Sequence, residues 1–187
     1  MTTDVVIVGD GPGGLSAALF LAKMGKKVVV YGQDNTAMHA ALLKNYLGIA
    51  EMTGTEFQEV ARAQVEQFGA QVVDDRVTAL ARDGESFRVS LEQGGETECA
   101  YVILSEGKSP KLAIELGVEM DESAGVVTDV HGKTSLDRVY AVGRLVRPGR
   151  SQAIISAGDG AAAAIDILSR EAGEPVVDWD TPPEEDS

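Results

Sequence analysis

The pattern of hydrophobic positions is clearest at the start of the chain, where an apolar run follows Asp4. A glycine-rich turn comes next, then an Ala- and Leu-rich segment to Lys23 whose apolar positions recur at helical spacing. A second apolar run, residues 27–31, follows closely. Continuous apolar runs of this length are typical of strands buried on both faces of a parallel sheet. The pattern therefore predicts a β-α-β unit.

The turn between the first strand and its helix has the spacing Gly-x-Gly-x-x-Gly, at Gly9, Gly11 and Gly14. In a dinucleotide-binding unit the first glycine permits a sharp turn, the second leaves room for a pyrophosphate, and the third allows close helix packing. Pro12 and Gly13 would begin the helix, with free N–H groups and a positive dipole end facing the phosphates. The spacing predicts a dinucleotide site, and the alternative is a tight βα turn without a ligand.

The middle of the chain predicts a helix and a meander. A short helix is expected within residues 37–43, and Thr53 with Glu56 forms a capping box ahead of a longer helix that ends at Gly69. The apolar positions of that longer helix predict the face that packs on the sheet: Phe57, Val60, Ala61, Val65 and Phe68. Residues 71–73 predict a third strand. Alternating runs at 77–81 and 87–91, followed by residues 98–105, predict a β-meander that re-enters the core.

The last third predicts two short strands, at 125–128 and 139–142, and a small-residue helix from 151 or 152 to 169. Gly158 and Gly160 would each cost that helix about 1 kcal/mol relative to alanine, so they indicate the close approach of a ligand or a neighbouring element. The pattern as a whole predicts an α/β fold: one Rossmann-like domain over residues 1–174, with a parallel sheet, flanking helices and a β-meander. Residues 175–187 predict a flexible acidic tail.

The end of the second strand departs from the usual dinucleotide pattern. A carboxylate normally stands there and binds the ribose hydroxyls, but this chain has Gly32, followed by Gln33 and Asp34. Either Asp34 reaches the ribose from the loop, or that contact is absent and the segment is a solvated turn.

Composition and charge narrow the classes of function. A chain of 187 residues fits one domain, and one cysteine excludes an internal disulfide. The sequence shows no charged-then-apolar leader and no apolar run near the ~18 residues that span a bilayer, which predicts a cytoplasmic protein. A formal net charge of −14 argues against nucleic acid or an anionic membrane as partner. The scattered acids resemble those of halophilic archaeal proteins, and the alternative is an acidic docking face.

Other chemistry has little support in the sequence. His39 and His131 are the only histidines and lie far apart, so no metal site is predicted. Cys99 has no second cysteine and no neighbouring histidine, which favours a structural role. No catalytic residue is predicted, because no serine lies in a nucleophile-elbow pattern and no acid-base constellation stands out.

Five segments in order resemble one family over nearly the whole chain, the FAD domain of low-molecular-weight thioredoxin reductases. These segments are residues 9–14, 45–48, 102–107, 134–143 and 152–160. The resemblance implies non-covalent FAD. By position, Gly9, Gly11, Pro12, Gly13 and Gly14 would hold the pyrophosphate, Asn45 would approach the flavin side, and the backbone of Val77 would contact adenine. Gly107 would permit close passage of the cofactor, and Gly143, Gln152 and Ala153 would lie along the ribityl chain and isoalloxazine.

The chain departs from this family in four places. The family's NADPH domain, with its redox-active Cys-x-x-Cys, is inserted after the position of Gly107; here only the short connection 108–115 remains. The family's Ala-Thr before that glycine becomes Ser105 and Glu106, and the acid after the last strand's glycine becomes Arg144. An arginine can donate hydrogen bonds but not accept them, so either Glu106 pairs with Arg144 or the cofactor is shifted. The flavin loop is shortened to residues 34–36.

These features lead to alternative functions. The first is a single-domain FAD-binding flavoprotein with a redox role, served by a separate reductase or redox partner. The second is a non-catalytic dinucleotide-binding or regulatory module with a degenerate flavin site, and the third is an inert remnant. Activity as a stand-alone NADPH-thioredoxin reductase is not expected, and the resemblance makes a homodimer an expectation.

Overall fold

The computed structural model describes residues 3–123 and 125–182. The strands are β1 Thr3–Val8, β2 Val28–Gly32, β3 Leu42–Leu43, β4 Met52–Thr53, β5 Gln71–Asp74, β6 Val77–Asp83, β7 Ser86–Leu91, β8 Glu96–Leu104, β9 Met120–Asp121, β10 Gly125–Val126 and β11 Val139–Ala141. The α-helices are α1 Pro12–Lys23, α2 Gly54–Gln67, α3 Lys111–Leu116 and α4 Ala153–Ala172. Two 3-10 helices cover Ala37–Ala40 and Gly143–Leu145.

The main sheet is mixed, and β8 is the strand at which its two parts meet. Strands β5, β2, β1, β8 and β11 are parallel to one another, whereas β8, β7 and β6 form an antiparallel meander. The amino-terminal part of β8 pairs with β7 and its carboxyl-terminal part with β11. The predicted α/β architecture, with a parallel sheet and a β-meander, is confirmed. The carboxyl ends of β1, β2, β8 and β11 therefore lie along one edge of the sheet.

Alternate residues of β1 belong to two different hydrophobic layers. Val5 and Ile7 pack with α1, α2 and α4 on one face of the sheet, and Val6 and Val8 pack with the meander and α3 on the other. Because successive side chains of a strand point to opposite faces, an apolar run is what a strand covered on both sides requires. The core thus holds the strand ends in fixed positions.

Two local predictions differ from the structure. In place of a helix over residues 37–43, a single 3-10 turn is followed by β3, which pairs with β4. The capping box at Thr53 and Glu56 forms as predicted, but α2 is rotated, so that Val60 and Phe68 are exposed while Gln58 and Val65 are buried. Hydrogen bonds explain this rotation, because Gln58 and Arg62 on the buried side of α2 both donate to Asp10.

The segment after α4 contacts the first helix. The Val176 N–H donates to Ser169 Oγ at 3.0 Å, and the Lys23 ammonium lies 2.7 Å from a carboxylate oxygen of Asp178 and 2.5 Å from one of Asp180. The division into residues 1–174 and a flexible tail stays a prediction, and residues 183–187 lie outside the described part of the chain.

Candidate functional site

A cavity of about 840 Å³ opens at the edge where the parallel strands end. The turn after β1, the loop after β2, the start of β6, the segment after β8 and the start of α4 all contribute to its wall. Of the residues predicted for the site, these line it: Gly9, Gly11, Pro12, Gly13, Gly32, Gln33, Asn45, Val77, Ser105, Glu106, Gly107, Gly143, Arg144, Gln152 and Ala153. Gly14 and Asp34 do not.

Two helices begin at this cavity without a side-chain cap. Helix α1 has Gly11 at its N-cap and Pro12 in its first turn, and α4, which is 20 residues long, has Gln152 at its N-cap. Gly11 has no side chain, and the Gln152 side chain does not bond to the backbone of α4. The first-turn N–H groups of both helices are therefore available, and the positive dipole ends favour negative charge between them. This arrangement suits a ligand carrying phosphate groups.

The three glycines of the turn are required for different reasons. Gly9 has φ +103°, and a Cβ there would overlap the backbone of Ser105. A Cβ on Gly14 would overlap the carbonyl oxygen of Gly9, which keeps α1 close to the strand. A Cβ on Gly11, by contrast, would meet nothing within 4 Å. Gly9 and Gly14 are thus explained by the fold, whereas the space beside Gly11 is open to the cavity.

Helices α1 and α4 cross where Gly13 and Gly160 meet. A Cβ on Gly160 would overlap the carbonyl oxygen of Gly13, whereas one on Gly158 would meet nothing within 4 Å. The close approach inferred from the sequence is therefore found at Gly160, where a neighbouring helix supplies it. This contact brings the two helix N-termini to the same cavity.

A buried polar cluster lies beneath the end of β2. The Asp10 side chain accepts from the Asp34 N–H at 3.0 Å and from the Arg62 guanidinium, which also bonds to Asp74. Gln58 Nε2 donates to the Asp10 carbonyl at 2.9 Å. Sequence reasoning missed Asp10 and Arg62, because their contacts join elements that are far apart in the sequence.

At the opposite end of the cavity, two predicted side chains are bonded to each other. Asn45 Nδ2 donates to Gln152 Oε1 at 3.0 Å, joining the loop before β4 to the start of α4. Behind them, the Gly143 N–H donates to Asp159 Oδ2 at 3.3 Å, and Arg147 pairs with Asp159 at 3.0 Å. These contacts fix the segment after β11 against α4.

Glu106 and Arg144 both line the cavity but do not pair. The Glu106 carboxylate accepts from the N–H groups of Leu112 and Ala113, at 2.8 and 3.0 Å, and so caps α3. Burial raises the pKa of Glu106, and the two N–H donors only partly oppose this. Within residues 3–123 and 125–182, the Arg144 side chain makes no hydrogen bond or ion pair. Its guanidinium is therefore available to an acceptor in the cavity.

Other groups considered at the sequence level have structural surroundings. Cys99 is buried, and burial raises the pKa of its thiol to about 12. His39 lies between Asp34 and Thr55, at 3.0 Å from each. Across the described residues there is no cluster of three metal-binding side chains, and no helix there has the length and apolar character of a membrane span.

Comparison with known proteins identifies the family of this chain. The family described as "Pyridine nucleotide-disulphide oxidoreductase" matches residues 3–72 and 38–160. The chain belongs to this family. Among its relatives, the thioredoxin reductase of Streptomyces coelicolor is 33% identical over 109 residues, 56% of this chain and 34% of that protein. A component of the alkyl hydroperoxide reductase of Staphylococcus aureus is 32% identical over 110 residues, 56% of this chain and 21% of that protein.

Solved structures show the same fold within the family. A thioredoxin reductase from Gloeobacter violaceus superposes with a TM-score of 0.85 at 20% identity, over 95% of this chain and 98% of that chain. The predicted thioredoxin reductase-like family is confirmed. The sequence matches, however, span only about a third and a fifth of the two curated relatives.

Proposed function

We propose that this chain binds FAD in the cavity and acts as a single-domain flavoprotein of the thioredoxin reductase type, passing electrons between a separate reductant and a partner. The observation that carries the proposal is the convergence of two uncapped helix N-termini on a cavity of about 840 Å³. Members of this family typically bind FAD, and a long ligand with a central pyrophosphate fits a site with two anion-binding ends.

The wall of the cavity fits the adenosine and pyrophosphate part of FAD. The open space beside Gly11 allows a phosphate to approach the backbone, since no side chain would be in the way. Val77 lines the cavity at the start of β6 and is buried, so it can offer backbone groups and an apolar surface to adenine. Those residues would bind and orient the ligand.

The wall fits the flavin part less fully. Gln152 and Asn45 would position the ring from one side, with the first turn of α4 favouring negative charge on it. Arg144 stands where the family has an acid, and it can only donate hydrogen bonds. Bound FAD would supply the redox chemistry, and the protein would set its orientation and electrostatic environment.

The chain's own residues argue for an external redox partner. Its single cysteine cannot form an internal disulfide, and burial of Cys99, which raises the pKa of its thiol, disfavours the thiolate form. Residues 108–115 form a short connection that includes most of α3. A reductase or redox protein that supplies or accepts electrons, and a homodimeric state, are parts of this proposal.

An absorbance spectrum tests the cofactor. We expect protein incubated with FAD and separated from free ligand to retain a flavin band, and its unfolding temperature to rise with FAD concentration, because a ligand of the native state stabilises it. Protein mixed with riboflavin, which lacks the pyrophosphate and adenosine, is the control. If FAD leaves both the spectrum and the unfolding temperature unchanged, the proposal is wrong.

The unpaired Arg144 favours a second candidate, a non-catalytic module that binds ADP-containing ligands and leaves the flavin end of the site unused. Titration calorimetry with FAD and ADP separates the two. FAD binding at least tenfold tighter than ADP, about 1.4 kcal/mol, would mean that the flavin end contributes. Equal affinities would support the binding module.

A further inference from the structure

We propose that Asp10, inside the glycine turn, binds the adenosine ribose in place of the missing acid at the end of β2, and that it selects an unphosphorylated ribose. This inference rests on the proposed function only in requiring a ligand with an ADP group. It assigns the role expected at position 32 to a residue 22 positions earlier in the chain.

The position of the Asp10 carboxylate is the first step. A Cβ built on Gly32 would overlap the Cβ, Cγ and Oδ1 atoms of Asp10. No positive φ accounts for this glycine, so the contact with Asp10 is its structural reason. The Asp10 carboxyl group therefore fills the place where a side chain at position 32 would begin. An acid is still present at the end of β2, but it comes from the neighbouring turn.

The second step is the direction in which this carboxylate can act. Its Oδ2 atom accepts from the Asp34 N–H and from Arg62. Its Oδ1 atom receives no hydrogen bond from any residue in the described ranges, although Asp10 lines the cavity and is only 5% exposed. Because Oδ1 is not itself buried, water in the cavity can donate to it, and a hydroxyl of a bound ligand can replace that water. Ribose hydroxyls are donors of the size and chemistry that this oxygen requires.

The third step concerns the cation. Arg62 pairs with Asp10 and neutralises its charge, and its other guanidinium nitrogen bonds to Asp74. Arg62 is not part of the cavity wall. Arg76 does line the cavity, but it pairs with Glu92 at 2.8 Å. A 2′-phosphate would thus meet the Asp10 carboxylate without a free arginine beside it. Asp10 should bind ribose hydroxyls and repel a 2′-phosphate.

Calorimetry with ADP and 2′-phospho-ADP tests this directly. Wild-type protein should bind ADP at least tenfold more tightly. Asp10→Asn keeps the size of the side chain and an acceptor, and it should weaken ADP binding by about tenfold, since a neutral amide oxygen accepts a weaker hydrogen bond than a carboxylate does. The same change should weaken 2′-phospho-ADP much less. Asp74→Asn is the matched control: it removes the same charge beside Arg62, outside the cavity, and should leave both affinities unchanged.

Relocating the acid gives an independent test. Gly32→Asp alone should lower the unfolding temperature, because its Cβ overlaps Asp10. The double variant Asp10→Gly with Gly32→Asp should recover that temperature and bind ADP more tightly than Asp10→Gly alone. These outcomes would establish that the carboxylate, rather than its place in the sequence, is what the ribose requires.

The failures are distinguishable. If wild-type protein binds no ADP-containing ligand, the proposed function is wrong. If it binds ADP but prefers 2′-phospho-ADP, or if the folded Asp10→Asn variant binds ADP as wild type does, the assignment of Asp10 is wrong and the proposed function stands. Unfolding curves of each variant without ligand identify any loss that comes from misfolding.

Discussion

At the scale of single residues, Gly11 and Gly14 of the first turn should differ in their roles, Gly11 serving ligand binding and Gly14 serving the fold. Gly11→Ala adds a methyl group to open space beside the cavity, whereas Gly14→Ala places one on the carbonyl oxygen of Gly9. We expect Gly11→Ala to keep the stability of the ligand-free protein and weaken FAD by tenfold or more, about 1.4 kcal/mol. Gly14→Ala should lower the free energy of unfolding by about 1–3 kcal/mol, as overpacking does. Urea unfolding and FAD titration check the pair, and equal effects of both variants would contradict it.

Glu106 should make the stability of the protein depend on pH, in the direction set by its raised pKa. Because burial raises its pKa in the folded state, the fold binds more protons than the unfolded chain in the interval above the ordinary carboxyl value, so this group's contribution to stability falls as pH rises through that interval. The unfolding temperature of wild type, relative to that of Glu106→Gln, should therefore decrease as the pH rises above the ordinary carboxyl range.

The control for that measurement is Glu119→Gln, an exposed acid that follows α3 in the sequence. Its removal should change the pH profile little, because exposed carboxylates contribute little to stability. If the difference between wild type and Glu106→Gln grows with pH, the carboxylate is stabilised by the α3 N–H groups more than it is penalised by burial.

Which residues the sequence could predict follows from distance along the chain. Gly9, Gly11 and Gly14 were predictable because their spacing is local and each has a known geometric role. Asp10 was not, because its role depends on Gly32 and Arg62, which come from two other elements. A pairing of Glu106 with Arg144 was a reasonable alternative from charge alone. It failed because the N-terminus of α3 offers two donors nearer to the carboxylate.

At the scale of elements, α4 contains a matched pair of glycines. Gly160→Ala would overlap Gly13 on α1, whereas Gly158→Ala meets nothing within 4 Å. Gly158→Ala should therefore stabilise the protein by about 0.5–1 kcal/mol through helix propensity. Gly160→Ala should destabilise it and also weaken FAD, since it separates the two helix N-termini. Denaturant unfolding with and without FAD measures both, and a stabilising Gly160→Ala would show that the helices need not cross so closely.

Elements were predictable where a single physical cause determines them. The buried strands follow from apolar runs, and the start of α2 follows from the Thr53 capping box. The rotation of α2 was not predictable, because apolar periodicity favoured Val60 and Phe68 while buried hydrogen bonds to Asp10 required Gln58 and Arg62 inward. A helix over residues 37–43 was predicted, but only Ala37–Ala40 form a 3-10 turn, because the next residues form β3. The partner of β3 is β4, which follows after an intervening loop, so the local pattern does not reveal this pairing.

At the scale of the whole molecule, net charge should make stability depend on salt. With a formal charge of −14, the folded chain repels itself. Raising KCl to about 1 M shortens the screening length to about 3 Å, which relieves that repulsion more than it weakens exposed ion pairs of about 0–1 kcal/mol each. We expect the unfolding temperature to rise with KCl, and to rise at lower concentration with MgCl₂. A fall would show that the ion pairs dominate.

The overall architecture was predictable because five short segments in a fixed order specify it, even though no single one does. The contact between the first and last helices could not be predicted from the sequence. The first and last helices cross at Gly13 and Gly160, and that contact depends on three-dimensional closure of the sheet.

This crossing also determines when the site can exist. The two helix N-termini at the cavity come from α1, which starts at Pro12, and from α4, which starts at Ala153. During synthesis, a ribosome-bound chain that has not yet released α4 has only one of the two helix N-termini that line the cavity. On the proposed function, FAD could bind only after α4 has been translated, and bound FAD would link α1 to α4.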